Sequence, residues 1–199
     1  MKELRVRIKF IEEVLGTASQ DKKLHETYIA SKGPDAMSIE EEIEAIGTEA
    51  VLENGMTVFP RETIDGKSVP IFWDYQIKGF FKDAAGMLRK VTKSHSSELK
   101  AYKKAIDGLL FVEPRKIPIT LSGEMGECQR PLRAQTAQGE RIAIAHSETI
   151  PAGSTIDITI KCLDGSLLPA VKEWMDYGVL RGIGQWRNSG KGRFEYEIL

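Results

Sequence analysis

The sequence predicts an α+β fold in which helices cover one face of an antiparallel sheet. Near the start, Leu4, Val6, Ile8 and Phe10 alternate with Arg5, Arg7 and Lys9. That is the period of a strand with one buried and one basic face. After Gly79 the period changes, and Phe80, Phe81, Ala84, Ala85 and Leu88 form one face of a helix. Strands and helices then follow one another without the strict alternation that a parallel sheet requires.

Each element has its own signal. Beyond Leu15-Gly16 runs a polar stretch with His25 and Tyr28, broken at Gly33-Pro34. Ser38 and Glu41 have capping-box spacing and predict a helix through about Ile46, ended by Gly47. Thr57 to Phe59 is a short strand stopped by Pro60. Asp65-Gly66 turns the chain, and Val69 to Ile77 reads as the returning strand. A second helical segment spans about Ser97 to Ile106, closed by Gly108. Leu109 to Val112 and Ile117 to Leu121 read as strands. Arg141 to Ala145 and Thr155 to Cys162 read as a pair around a turn-rich "HSETIPAGS". Leu167 to Leu180 is helical, with Leu168, Val171, Trp174, Met175 and Val179 on one side. Arg193 to Ile198 is a closing strand, expected in the same sheet as Arg5 to Phe10.

Composition bounds the function. The chain has 199 residues, 28 Lys and Arg against 29 Asp and Glu, and a net charge of −1. Any nucleic-acid affinity must therefore come from a local patch rather than from overall charge. The two cysteines, Cys128 and Cys162, have no metal-site spacing, which points to a reducing compartment. No stretch of 18 apolar residues exists to span a membrane, and the N-terminus has no signal-peptide core. A cytoplasmic protein without cofactor or bound metal is the expectation.

The most distinctive stretch is "GIGQWRNSGKGRF", Gly182 to Phe194. Its two G-x-G pairs bracket five residues that include Trp186 and Arg187. The spacing resembles the glycine-rich loop of the RAMP superfamily, the RNA-binding proteins of CRISPR systems. Gly182, Ile183, Gly184, Arg187, Gly190 and Gly192 carry the match, while Lys191 departs from an apolar position. "VPIFWDYQIKGFFKDAAGMLR" (Val69 to Arg89), with its Lys78-Gly79 pair, resembles the strand, turn and helix of the effector backbone subunits. "RIKFIEEVLGTAS" (Arg7 to Ser19) resembles their first strand and loop. The resemblance implies one domain over 1–199 with a ferredoxin-like, RRM-like core. Stretches at about 33–58 and 94–141 match nothing and read as insertions. It also implies self-association, head to tail. The chain is similar to small prophage-encoded proteins that stand alone, without CRISPR neighbours.

Glycine-rich backbone lets N–H groups reach a phosphate without a Cβ clash. Arg181, Arg187, Lys191 and Arg193 lie in or beside the loop with no acid between them, joined by the polar Asn188 and Ser189. Trp186 offers a stacking surface. The other reading is a tight structural turn with Trp186 in the core. Lys78 and Lys82, near the start of the helix expected after Gly79, suggest an anion there or a solvated pair. On these grounds Arg187, Lys191, Arg193 and Lys78 are expected to contact phosphates, and Gly190→Val to harm binding more than loss of any one of them. Arg130, Arg133 and Arg141, with Gln135 and Gln138, read as a solvated hairpin.

The expected function is non-catalytic binding of single-stranded RNA. A phage counter-defence protein that sequesters a nucleotide signal, or mimics a CRISPR subunit, is the alternative. A metal-independent endoribonuclease is the second. His25 follows the first strand as the catalytic histidine of RAMP endoribonucleases does, and Asp21 lies near the loop where some backbone subunits carry a cleaving aspartate, but without the surrounding motif. Neither has a visible proton-relay partner. His25→Ala is therefore expected to leave behaviour toward RNA unchanged. An RNA panel cleaved by the wild type without metal, and spared by the variant, would overturn that.

Overall fold

The alternating apolar residues at the start of the chain do build a strand, β1 (Lys2–Phe10), whose Leu4, Val6, Ile8 and Phe10 are buried. In this computed structural model residues 1–19, 56–136 and 139–199 are described, with backbone alone at 19, 132–136 and 139–143. Asp21, His25, the break at Gly33-Pro34 and the helix expected from Ser38 lie outside them. Short strands follow at β2 (Val14–Leu15), β3 (Ala18–Ser19) and β4 (Thr57–Val58). The hairpin β5 (Arg61–Ile64) and β6 (Lys67–Trp73) leads into helices α1 (Asp74–Leu88), α2 (His95–Glu98) and α3 (Tyr102–Leu109). Then come β7 (Leu110–Glu113), β8 (Lys116–Pro118), β9 (Gly126–Thr136), β10 (Gly139–Ile150) and β11 (Thr155–Cys162). Helix α4 (Leu168–Arg181) and β12 (Phe194–Ile198) complete the chain.

The central sheet has the order β12-β1-β11-β7. Every pair in it is antiparallel. Chain order and sheet order together are those of the ferredoxin-like, RRM-like fold, with α1 and α4 as the two helices that cover the sheet. The two ends of the chain meet as expected: β1 pairs with β12 from Val6↔Ile198 to Phe10↔Phe194. One continuous core joins the inward residues of the strands to Phe80 and Phe81 of α1 and Trp174 and Met175 of α4. Phe10, Phe194 and Phe80 meet edge to face, with centroids 5.8–6.4 Å apart.

The opposite face of the sheet is exposed among the described residues, and two of its cations are paired. Arg7 donates to both oxygens of Asp157 at 2.7 Å, and Lys161 pairs with Glu113 at 2.6 Å. Phe111 is the one aromatic residue that β1, β7, β11 and β12 leave largely exposed.

Three boundaries differ from expectation. The strand expected to run to Ile77 ends at Trp73, and α1 starts at Asp74 rather than after Gly79. Gln76 sets that start, because its Oε1 accepts from the Trp73 N–H at 2.7 Å while its Nε2 donates to Thr17. The segment after Ser94 is not one helix. It breaks at Ala101, which sits in the left-handed region at φ 50, and α3 runs through Gly108 to Leu109. Finally, "HSETI" is strand, not turn. Strand β10 pairs along its length with β9, from Gly139↔Thr136 to Thr149↔Gly126, instead of with β11. Strand β11 is engaged on both sides by β1 and β7.

A candidate nucleic-acid interface

The glycine loop closes the gap between α4 and β12 and seats on the turn after β1. Ile183 is its buried anchor. The Ile183 N–H donates to the Gly192 carbonyl at 3.0 Å, and the Gly192 N–H donates to the Glu13 carbonyl at 2.8 Å. Gly182 and Gly192 take φ of 81° and 73°. A Cβ at Gly182 would lie 2.6 Å from the Lys191 carbonyl oxygen, and one at Gly192 would overlap the Ile183 carbonyl. Both positions need glycine for conformation and for space. Gly190 differs: its φ is 86°, but a Cβ there would meet nothing within 4 Å. The tightest constraint is thus at the ends of the loop and not at Gly190.

The basic residues fare unequally. Arg187 is turned inward: its side chain is 8% exposed, and its Nη1 meets Asp83 of α1 at 2.6 Å. Lys191 reaches Glu13 at 2.8 Å, in a pair open to water. Arg193 donates from Nε to the Val179 carbonyl at 3.1 Å, and Arg181 from Nη1 to Asn188 at 2.5 Å. Ser189 folds back onto the Trp186 carbonyl. Trp186 is not in the core. It is 41% exposed and holds φ 56.

Lys78 and Lys82 lie away from the helix start that was expected for them. With α1 beginning at Asp74, the first turn carries an acid, as the macrodipole favours. Lys82 pairs with Asp107 at 2.8 Å, and Lys78 donates to the Asp107 carbonyl at 3.1 Å. Burial pushes the Lys78 ammonium below its usual pKa, opposed by Asp107.

Arg130 corrects the sequence reading most. The sequence pattern puts it in a solvated hairpin, yet it is 9% exposed. The base of β9 packs on the glycine loop, where Arg130 Nη2 donates to Gln185 Oε1 and its guanidinium lies 5.6 Å from the Trp186 ring centroid. Gln185 in turn donates to the Gly16 carbonyl at 3.0 Å. Burial depresses the Arg130 pKa, with Cys128 opposing. Arg133, Gln135 and Arg141 have no described side chains, and Gln138 lies outside the described residues. The loop, the start of β9 and the turn after β1 therefore form one corner around Trp186. Among the described residues no group of three or more His, Cys, Asp or Glu could hold a metal ion. No described helix is long and apolar enough to cross a membrane.

No protein-family model matches the sequence, and no curated protein matches it. Solved structures do match in fold. A chain of the type III-B Cmr-β complex bound to cognate target RNA superposes with a TM-score of 0.50 at 15% identity. The match covers 100% of this chain and 61% of that one, so this protein spans less than two thirds of that chain's length. A chain of a type IV-B CRISPR complex superposes with a TM-score of 0.51 at 11% identity, covering 100% of this chain and 90% of that one. What this protein shares with these CRISPR-complex chains is the overall fold.

Proposed function

We propose that the protein binds single-stranded RNA without cleaving it, at the corner built by the glycine loop and the base of the β9–β10 hairpin. The observation that carries this reading is the half-exposed Trp186 over the buried Arg130, in a loop flanked by Arg181 and Arg193. None of these three arginines has a carboxylate partner among the described residues. An aromatic plane over an uncompensated cation suits a base and its phosphate. The exposed face of the sheet suits them less, since its Arg7 and Lys161 are held by acids and its one largely exposed aromatic is Phe111. The fold likeness supports the reading, because one of the similar chains belongs to a complex bound to target RNA. The reading extends to a stand-alone protein of phage origin, working in the cytoplasm and self-associating head to tail, which sedimentation at rising concentration would test.

Three unpaired arginines set the salt dependence. For a short oligouridylate, log K against log salt should slope at about −2, since each phosphate neutralised on a single strand contributes roughly −0.7. Arg187 and Lys82, already held by acids, should add little. A folded wild type that shows no binding at low salt removes the RNA reading. A mononucleotide that binds as tightly as the oligomer would favour sequestration of a nucleotide signal instead.

A further inference from the structure

Arg130 and Arg187 are both buried arginines in this corner, but their surroundings differ. Arg187 has Asp83 at 2.6 Å. Arg130 has no carboxylate among the described residues, and Nη2 alone is bonded, to the neutral Gln185. Its Nε and Nη1 are buried and find no acceptor. A guanidinium carries five N–H donors in a rigid fork, so three of them are left without an acceptor. A buried charge without a counter-charge is among the most unfavourable arrangements a fold can hold. A solvated hairpin would not produce it, and the core does not require it.

A second observation lies over the same group. The Trp186 indole sits above the guanidinium, 5.6 Å from its centroid, and is 41% exposed. Its backbone is in the left-handed region, φ 56 and ψ 34, which disfavours any residue with a Cβ. A glycine would hold this turn without strain, yet the sequence puts a large aromatic here. A cover whose backbone is held in an unfavoured conformation gives up less when it moves.

We propose that Arg130 is the anion-binding centre of this corner and that Trp186 is its cover. A phosphate of single-stranded RNA displaces the indole, supplies the counter-charge that the described residues leave out, and the released indole stacks on the neighbouring base. This rests on the RNA-binding reading and adds to it the residue that takes the phosphate and the movement that admits it. It also explains why an arginine outside the glycine loop is bonded to that loop through Gln185.

The test separates a ligand-binding arginine from a structural one. Arg130→Met removes the uncompensated charge and keeps most of the volume. Its melting temperature should rise by about 2–5 °C, since an apolar side chain of similar size suits the site better when no ligand is present. Its affinity for a ten-nucleotide oligouridylate should fall at least tenfold, with the salt slope reduced by about 0.7. In a second measurement the same oligonucleotide should change the tryptophan fluorescence of the wild type. That change should disappear in Trp186→Phe, a substitution at an exposed position that keeps the fold. A lower melting temperature in Arg130→Met with unchanged affinity would make Arg130 structural and overturn the proposal. So would a fluorescence change that persists in Trp186→Phe. If the wild type binds and Arg130→Met binds as well, this inference alone fails. If the wild type does not bind at all, the RNA reading fails and takes the inference with it.

Discussion

Gly192→Ala should lower stability by about 4 kcal/mol, whereas Gly190→Ala should cost only about 1 kcal/mol. Both glycines have left-handed backbones, so both substitutions pay for a conformation that L-residues avoid. Only at Gly192 does the new methyl also overlap the Ile183 carbonyl. That carbonyl cannot retreat cheaply. The Ile183 N–H is bonded to Gly192 itself, and the Gly192 N–H to Glu13 on the turn after β1. Moving either strand of the loop breaks one of these bonds or lifts Ile183 from the core. A domain of this size is stable by roughly 5–15 kcal/mol, so the first variant should show a much lower urea midpoint and the second nearly the wild-type value. Equal midpoints for the two variants would mean that the loop is not seated on Glu13 as described.

The second large effect is expected at Asp83. Asp83→Ala strips the carboxylate from the inward-facing Arg187, whose side chain is 8% exposed, and should cost about 3 kcal/mol. The pair ties the glycine loop to α1, so the loss should fall on the loop first. Hydrogen exchange of the Gly184–Gly192 amides should accelerate before that of β1. Replacing both partners, Asp83→Leu with Arg187→Met, removes the charge along with its partner. That double variant should recover to within about 1 kcal/mol of the wild type. A double variant as unstable as the single one would show that the pair contributes more than mutual compensation.

The parts of the fold visible in the sequence are those where one side of an element faces the core. Strand β1, with its basic and apolar alternation, is one. Helix α4, with Val171, Trp174 and Met175 buried along one side, is another. Strand β9 is legible only as one arm of the hairpin around Arg130 to Arg141, without bounds, for the opposite reason. "GECQRPLRAQT" is polar, contains a proline, and owes its extended form to pairing with β10 rather than to any pattern of its own. The start of α1 was misplaced because "VPIFWDYQI" is apolar enough for either a strand or a helix, and the deciding group is the Gln76 side chain. In the candidate site, the glycine spacing marks the loop but leaves Trp186 open between a stacking surface and the core. It did not reveal that Arg187 turns inward to Asp83 or that Arg130 is buried under Trp186. Both depend on which distant element docks beside the loop, and arginine as a residue type argues for the surface.

The central position of β1 has a consequence for how the molecule is assembled. Its two neighbours in the sheet, β11 and β12, both come from the far end of the chain, and the glycine loop that locks the corner closes against the turn just after it. Strand β1 is thus made long before either of its partners and is paired late. Its Val6, Ile8 and Phe10 have no sheet partner until nearly every other element exists, and the entropy of closing that long connection comes before any of the ladder's reward. Folding should therefore be slow for a chain of this length. During that wait an apolar strand with two open edges is what a chaperone, or a second nascent copy, would meet.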